Sequence, residues 1–188
     1  MNILAFSGST RAASWNTKLV ELAAQAVHDM PVTLINLRDF ELPLFNEDLE
    51  EERGTPEAAT RLKSLFLSHQ GLLIASPEYN SSLAPVLKNA LDWVSRPAPG
   101  ETSLAAFRGK AAALLSASPG ALGGMRGLVH LRAILGNVGV IVLPDQVAVG
   151  SVHEQFHEDG SIKDEKLARR VQGVGTGLAT FLRRHHTA

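Results

Sequence analysis

Short apolar runs alternate with longer amphipathic segments along the chain. Each run is apolar at nearly every position, which is typical of strands covered on both faces. These runs predict strands over residues 2–6, 32–37, 71–76, 110–117 and 139–143. The segments between them repeat apolar residues with helical spacing and predict helices over residues 16–30, 56–69, 83–95, 124–138 and 164–184.

The order of these elements predicts the fold class. Strands that alternate with helices form parallel sheets, because parallel neighbours need a crossover connection. We therefore expect an α/β fold with a flavodoxin-like, five-stranded parallel sheet, in the order 2-1-3-4-5 and with helices on both faces. With 188 residues the chain can bury one sizeable core, so one domain over residues 1–188 is expected. Residues 39–55 are expected to form a loop whose acidic run is a solvated surface.

Composition and charge exclude several classes of function. The net charge is −1 and no run of Lys or Arg exceeds two residues, so no binding to nucleic acid or to an anionic membrane is expected. The chain has no cysteine, which excludes disulfides, thiolate metal sites and a cysteine nucleophile. No basic segment precedes the first apolar run, and no apolar stretch approaches the roughly 18 residues of a membrane span. A cytoplasmic protein is expected.

The loop after the first strand, GSTRAASWN at residues 8–16, is rich in hydroxyl groups. It lacks both G-x-G-x-x-G and the Gly-Lys-Ser/Thr ending of a nucleotide-triphosphate loop. Its hydroxyls, the Arg11 guanidinium, the Asn16 amide and the free N–H groups of a helix start suit a compact phosphate monoester. A plain turn capped by Ser14 or Asn16 is the alternative.

The loop after the third strand, SPEYNSS at residues 76–82, is the second unusual segment. Pro77 stiffens the strand exit, and the residues after it offer an aromatic face with amide and main-chain groups, which suit a planar heteroaromatic ligand. A capped helix start with Pro85 in its first turn is the alternative, although it leaves the Pro-Glu-Tyr-Asn run unexplained. In an open α/β sheet both loops lie near the ligand-binding edge.

Together, GSTRAASWN and SPEYNSSLAPVLKNALDW resemble the NAD(P)H-dependent FMN reductase family of flavodoxin-like proteins. This family includes soluble quinone, chromate and azo-dye reductases. The loop SASPGALGGMR at residues 116–126 is also similar to that family, and the resemblance spans nearly the whole domain. Ala117 departs from it, since relatives often carry a hydroxyl there.

The resemblance implies a set of cofactor-binding residues around one FMN. Those for the phosphate are Ser9, Thr10, Arg11, Ser14, Trp15 and Asn16; those for the ring system are Pro77, Glu78, Tyr79, Asn80, Ser118 and Gly120. A single phosphate-sized loop without a dinucleotide fingerprint favours FMN over FAD.

The expected function follows from the cofactor, because the chain contains no G-x-S-x-G nucleophile motif or other credible catalytic set of side chains. In flavoenzymes the flavin carries the hydride and electron transfers. We expect an oxidoreductase in which NADPH or NADH, then a quinone, flavin, azo compound or chromate-like oxyanion, occupy the exposed flavin face in turn. The alternative is a flavodoxin-type electron carrier that docks on protein partners. Such carriers are strongly acidic around the flavin, whereas this chain is nearly neutral.

Two further segments bear on metal binding and assembly. The sequence HEQFH at residues 153–157 matches the zinc-protease signature H-E-x-x-H, but glycines at 150 and 160 leave little room for a helix, so a surface loop without metal is expected. The helix over residues 83–95, which ends near Trp93, carries more apolar positions than one buried face needs. With the resemblance, this excess predicts a homodimer or homotetramer that is assembled through that helix.

Overall fold

The fold is a parallel sheet between two layers of helices. In this computed structural model residues 1–185 are described, so the last three residues of the predicted domain lie outside the described part. The main strands are β1 (Ile3–Ser7), β2 (Val32–Asn36), β3 (Gly71–Ala75), β6 (Ala111–Ala117) and β7 (Ile141–Val149). Their order is β2-β1-β3-β6-β7, and all four pairings are parallel, which confirms the flavodoxin-like sheet. A two-stranded hairpin, β4 (Glu78–Tyr79) and β5 (Ser82–Leu83), follows β3.

Helices cover both faces of the sheet, so the core has two halves. The helices are α1 (Trp15–Gln25), α2 (Glu47–Arg53), α3 (Glu57–Ser68), α4 (Pro85–Ser95), α5 (Met125–Asn137), α6 (Val152–Gln155) and α7 (Glu165–His185). Residues of α1 and α7 cover one face of the sheet, and residues of α3, α4 and α5 cover the other. Alternate residues of β1 therefore enter opposite halves, Ile3 the first and Leu4 the second, which explains why the strand is apolar at every position except its end.

Residues 39–55 are not the continuous loop that the sequence predicted. A 3-10 turn (Leu37–Asp39) follows β2, and the acidic run forms α2. Asn46 caps α2 by accepting a hydrogen bond from the Asp48 N–H (2.9 Å), and Gly54 ends it with φ 73°. Acidic residues in a first helical turn complement the helix dipole, so the run that indicated a solvated loop is a helix start.

The apolar excess on α4 is satisfied inside the subunit, which overturns the reason for placing an interface there. The side chains of Leu87, Ala90, Leu91, Trp93 and Val94 are all buried. The Trp93 indole N–H donates to the Pro43 carbonyl (2.7 Å), and Phe45 packs edge-on against the indole. The segment that precedes α2 thus covers Trp93, while the other apolar side chains of α4 pack into the core on one face of the sheet.

Strand β7 is longer than predicted and reaches Val149. It lies at the sheet edge, where Pro144 needs no ladder partner, and its register to β6 shifts between Ala112 and Leu114. Within residues 1–185, no helix is both long and apolar enough to cross a membrane.

Candidate functional site

The loops that follow β1, β3 and β6 meet in a cleft of about 250 Å³ at the carboxyl edge of the sheet. Nine of the twelve predicted cofactor-binding residues line it, namely Ser9, Arg11, Ser14, Trp15, Asn16, Pro77, Glu78, Tyr79 and Ser118. Thr10, Asn80 and Gly120 lie outside this lining. Larger grooves occur elsewhere, such as one of about 550 Å³ between α1 and α7, but they do not lie where the three loops converge.

The β1–α1 loop is curled by its own hydroxyl groups. The Ser7 hydroxyl accepts from the Ser9 N–H (3.2 Å), and the Ser9 hydroxyl accepts from the Arg11 N–H (3.3 Å). Ser14 is the N-cap of α1 and accepts from the Thr17 N–H (3.4 Å). A hydroxyl that accepts in this way still has its own O–H to donate, so Ser9 and Ser14 can each donate to a phosphate oxygen.

The start of α1 adds main-chain donors to these hydroxyls. Within residues 1–185, the backbone N–H groups of Thr10, Trp15 and Asn16 have no protein acceptor. Free N–H groups at a helix N-terminus, together with the helix dipole, favour an anion. The loop therefore offers a cradle of donors that suits a phosphate, with the exposed Arg11 as a cation beside it.

The Asn16 side chain has a different role from the one that the sequence suggested. Its amide is buried and pairs with the backbone of Ala117 in both directions, by donating to the carbonyl (2.9 Å) and accepting from the N–H (2.9 Å). In the described part of the chain, the Asn16 backbone N–H has no protein acceptor and is left for a phosphate. The side chain fixes the first turn of α1 to the end of β6, which sets the width of the cleft.

Trp15 faces the C-terminal part of the chain. Its indole packs against the Phe156 ring at 4.9 Å between centroids, and the Lys18 ammonium lies 4.6 Å from the ring centre. The large side chain therefore closes one end of the cleft and leaves its backbone N–H toward the cradle.

The β4–β5 hairpin forms the opposite wall. Asn80 and Ser81 make its two-residue turn with φ of 49° and 67°, a conformation that Asn tolerates better than most residues. This turn explains why Asn80 lies off the cleft. Tyr79 is 54% exposed and presents its ring beside the opening, where a planar group can approach.

Glu78 locks the hairpin to the start of α5. Its carboxylate accepts from the Arg126 guanidinium (2.6 and 2.9 Å) and from the Gly127 N–H (3.1 Å), and its side chain is only 8% exposed. Burial alone would raise the pKa of Glu78, but the hydrogen bonds and the positive charge of Arg126 hold that pKa below its ordinary value. Glu78 is therefore ionised and fully paired near neutral pH.

The third loop approaches the cleft through Ser118, whose hydroxyl accepts from the Gly120 N–H (3.2 Å). The Gly120 carbonyl accepts from Gly123 and from Ser151, so Gly120 supports the loop from behind. Gly124 has φ 89°, and a Cβ there would overlap the buried Ser116 hydroxyl. The sequence reveals neither this overlap nor the part that the Ala117 backbone plays.

The two histidines of the zinc-protease signature do not lie on one helix. His153 lies on the four-residue helix α6, and His157 comes after that helix has ended, so the two do not share a helical face. The short helix differs from the loop that the sequence predicted. In the part of the chain that the structure describes, no group of three or more His, Asp or Glu residues could hold a metal ion.

The doubly wound sheet and the anion cradle at its point of strand reversal define a flavodoxin-like protein with a phosphate-bearing ligand. The model of the NADPH-dependent FMN reductase family matches residues 1–154, and the chain belongs to that family. It is 37% identical to an NAD(P)H-dependent FMN reductase of Pseudomonas aeruginosa, over 98% of this chain and 96% of that protein. It is 32% identical to an NADPH:quinone oxidoreductase of Arabidopsis thaliana, over 96% and 91%. Among solved structures, a flavoenzyme NAD(P)H:(acceptor) oxidoreductase from Paracoccus denitrificans superposes with a TM-score of 0.82 at 30% identity, with 98% of each chain covered.

The residues present fit the cofactor that the family implies. FMN carries one terminal phosphate, and the loop offers one cradle of hydroxyls and unpaired N–H groups. The chain is thus an oxidoreductase that passes reducing equivalents from NAD(P)H through FMN to a small acceptor.

Proposed function

We propose that this chain is a quinone reductase that binds the FMN phosphate in the β1–α1 loop and the flavin ring between the hairpin and the β6–α5 loop. The observation that carries the proposal is the convergence of the cradle with the exposed Tyr79 in one cleft. The cradle supplies affinity through the phosphate, and the walls supply orientation.

The chain's own groups divide the work of binding. Ser9, Ser14 and the N–H groups of α1 donate to the phosphate, and Arg11 adds a positive charge at the loop. Pro77 and Tyr79 line one side of the ring, while the backbone of Ala117 and Ser118 lines the other. FMN, when bound, supplies the hydride and electron transfer, so the side chains need not include an acid or base.

The size of the cleft supports a site with one open face. At about 250 Å³ it lies just below the range of roughly 300–1,000 Å³ that is usual for small-molecule sites, so part of the cofactor remains outside. The exposed part is where NAD(P)H and then the acceptor stack in turn. A flat, neutral quinone suits this face because Tyr79 is the aromatic side chain at its rim and Glu78 is already paired with Arg126.

Relatives support a quinone as the acceptor. Proteins from Arabidopsis thaliana and Escherichia coli that match most of this chain carry the names NADPH:quinone oxidoreductase and quinone reductase. The direct test measures kcat/KM of the FMN-loaded protein with NADPH and, in turn, 1,4-benzoquinone, chromate, an azo dye and free FMN. The quinone should give the highest value; a higher value with any other acceptor contradicts the assignment.

We also propose that the protein is a homodimer whose interface includes the start of α5. Leu122, Met125 and Val129 are about half exposed, although they are large and apolar. Arg126 joins this surface to the hairpin, so a second copy packed there would lie beside Tyr79 and complete the open side of the site. Light scattering after size exclusion should give twice the mass of one chain for the wild type and one chain's mass for Val129→Glu. A wild-type mass equal to one 20.1 kDa chain contradicts the proposal.

A further inference from the structure

Arg38 contacts the β1–α1 loop, at Thr10, from outside the cleft. Its guanidinium donates to the Thr10 carbonyl through Nε (3.2 Å) and through a terminal nitrogen (2.6 Å). The two residues are 28 positions apart and lie after different strands. None of the sequence patterns above indicated this contact.

The position of Arg38 is set by the sheet. β1 and β2 are parallel neighbours with Ser7 opposite Asn36, so the loops that follow them leave the sheet side by side. Asn36 caps the 3-10 turn by accepting from the Arg38 N–H (3.0 Å), and Leu37 anchors that turn because it is 2% exposed. The guanidinium is therefore held in front of the loop by a fixed turn, although Arg38 itself is exposed.

The contact orients one peptide unit of the loop. In a trans peptide the carbonyl and the next N–H point in opposite directions. With the Thr10 carbonyl held outward by Arg38, the Arg11 N–H is turned the other way, where it donates to the Ser9 hydroxyl. A carbonyl oxygen turned inward would repel a phosphate, so the orientation of this peptide bears directly on anion binding.

We propose that Arg38 is a positioning residue for the FMN phosphate, which acts through the Thr10 carbonyl and does not contact the phosphate itself. The inference rests on the proposed function, in which the β1–α1 loop holds that phosphate. It assigns to Arg38 the preorganisation of the loop, which lowers the ordering cost of binding.

The test compares Arg38→Ala with Arg53→Ala, which removes the same charge from an exposed residue of α2 whose ion-pair partner is Glu52. Amide hydrogen exchange is measured first on the flavin-free proteins. Exchange of the hydrogen-bonded N–H groups of Ser9 and Arg11 should rise about three- to ten-fold in Arg38→Ala, the effect of losing one exposed charge-assisted contact, and should not change in Arg53→Ala. Unchanged exchange in Arg38→Ala overturns the proposal.

Titrations with FMN and with riboflavin, which lacks the phosphate, complete the test. Arg38→Ala should weaken FMN binding about three- to ten-fold and leave riboflavin binding within about two-fold. The FMN effect should persist at high salt, where the field of an exposed charge is screened. An effect that disappears at high salt, or that is equal for both ligands, overturns positioning through the phosphate loop. If the wild type binds FMN no better than riboflavin, the proposed function fails instead, and the exchange result still decides whether Arg38 orders the loop.

Discussion

The side-chain amide of Asn16 pairs with both backbone groups of Ala117, 101 residues away, at 2.9 Å in each direction. The two hydrogen bonds join the β1–α1 loop to the third wall of the cleft, so the same residue contributes to stability and to the shape of the proposed cofactor site. A buried amide that satisfies two buried backbone groups is costly to remove, because both groups are then left unpaired.

Replacement of Asn16 by Ala should therefore lower the free energy of unfolding by about 2–3 kcal/mol and weaken FMN binding as well. Urea denaturation of the flavin-free protein and an FMN titration measure the two effects. Asn46→Ala is the matched control, since Asn46 caps the exposed helix α2 and should cost only about 1 kcal/mol with no change in FMN affinity. Equal losses of stability in the two variants would contradict the role of Asn16.

Replacement of Arg11 by Ala should weaken FMN binding roughly ten- to a hundred-fold, because a charge-assisted bond to the phosphate contributes about 1.5–3 kcal/mol. Ser9→Ala should weaken it in the same direction. Riboflavin affinity should change little in either variant, and both should retain the wild-type circular dichroism spectrum. FMN affinity that is unchanged in both would mean that the loop does not hold the phosphate.

Replacement of Glu78 by Gln tests the ion pair with Arg126 through its pH dependence. Because the folded protein lowers the pKa of Glu78, its contribution is fully present above the ordinary pKa near 4.5 and is lost as pH falls through the lowered value. The variant should be less stable than the wild type by about 1 kcal/mol at neutral pH, and the difference should shrink below about pH 4.5.

Denaturation of both proteins across the acid range measures this difference directly. Glu165→Gln is the control, because Glu165 pairs with Arg169 at an exposed position on α7, where an ion pair contributes little to stability. A difference between wild type and Glu78→Gln that is constant from neutral to acid pH would show that Glu78 is not held ionised by its partners.

Two glycines of α7 should respond oppositely to Ala. A Cβ on Gly175 would overlap the Ala23 carbonyl of α1, whereas a Cβ on the exposed Gly177 would meet nothing within 4 Å. Gly175→Ala should therefore lower the free energy of unfolding by about 1–3 kcal/mol through forced separation of the helices. Gly177→Ala should raise it by about 0.5–1 kcal/mol, because Ala is the better helix former. Thermal or urea unfolding of the two variants measures these changes. Similar losses of stability in Gly175→Ala and Gly177→Ala would contradict the close approach of α1 and α7.

The central strands β1, β3 and β6 could be predicted from the sequence because they are covered on both faces, and each therefore consists almost entirely of apolar residues. The three loops could be located because parallel strands place their carboxyl ends at one edge. The pairings within the site could not be read in the same way. The crossover connections bring Asn16 to Ala117 and Arg38 to Thr10. The residue types alone do not indicate which residue each one contacts.

The helix α2 and the covered face of α4 illustrate the same limit. Residues 39–55 were predicted to form a loop because a charged run of seven residues is too short to show apolar periodicity. The apolar excess of α4 predicted an interface with a second copy, but its side chains are buried within the same chain, in the core and, for Trp93, against Phe45. Apolar periodicity shows that a helix face is buried, but it does not distinguish burial within the chain from burial against a second copy.

We propose that FMN bound in this cleft carries electrons from NAD(P)H to a quinone. The most direct measurement is the visible spectrum of the FMN-loaded protein, recorded without oxygen before and after addition of NADPH and then of 1,4-benzoquinone. We expect NADPH to bleach the flavin absorption band and the quinone to restore it. A flavin band that persists after addition of NADPH and of NADH, or that bleaches and is not restored by the quinone, would contradict it.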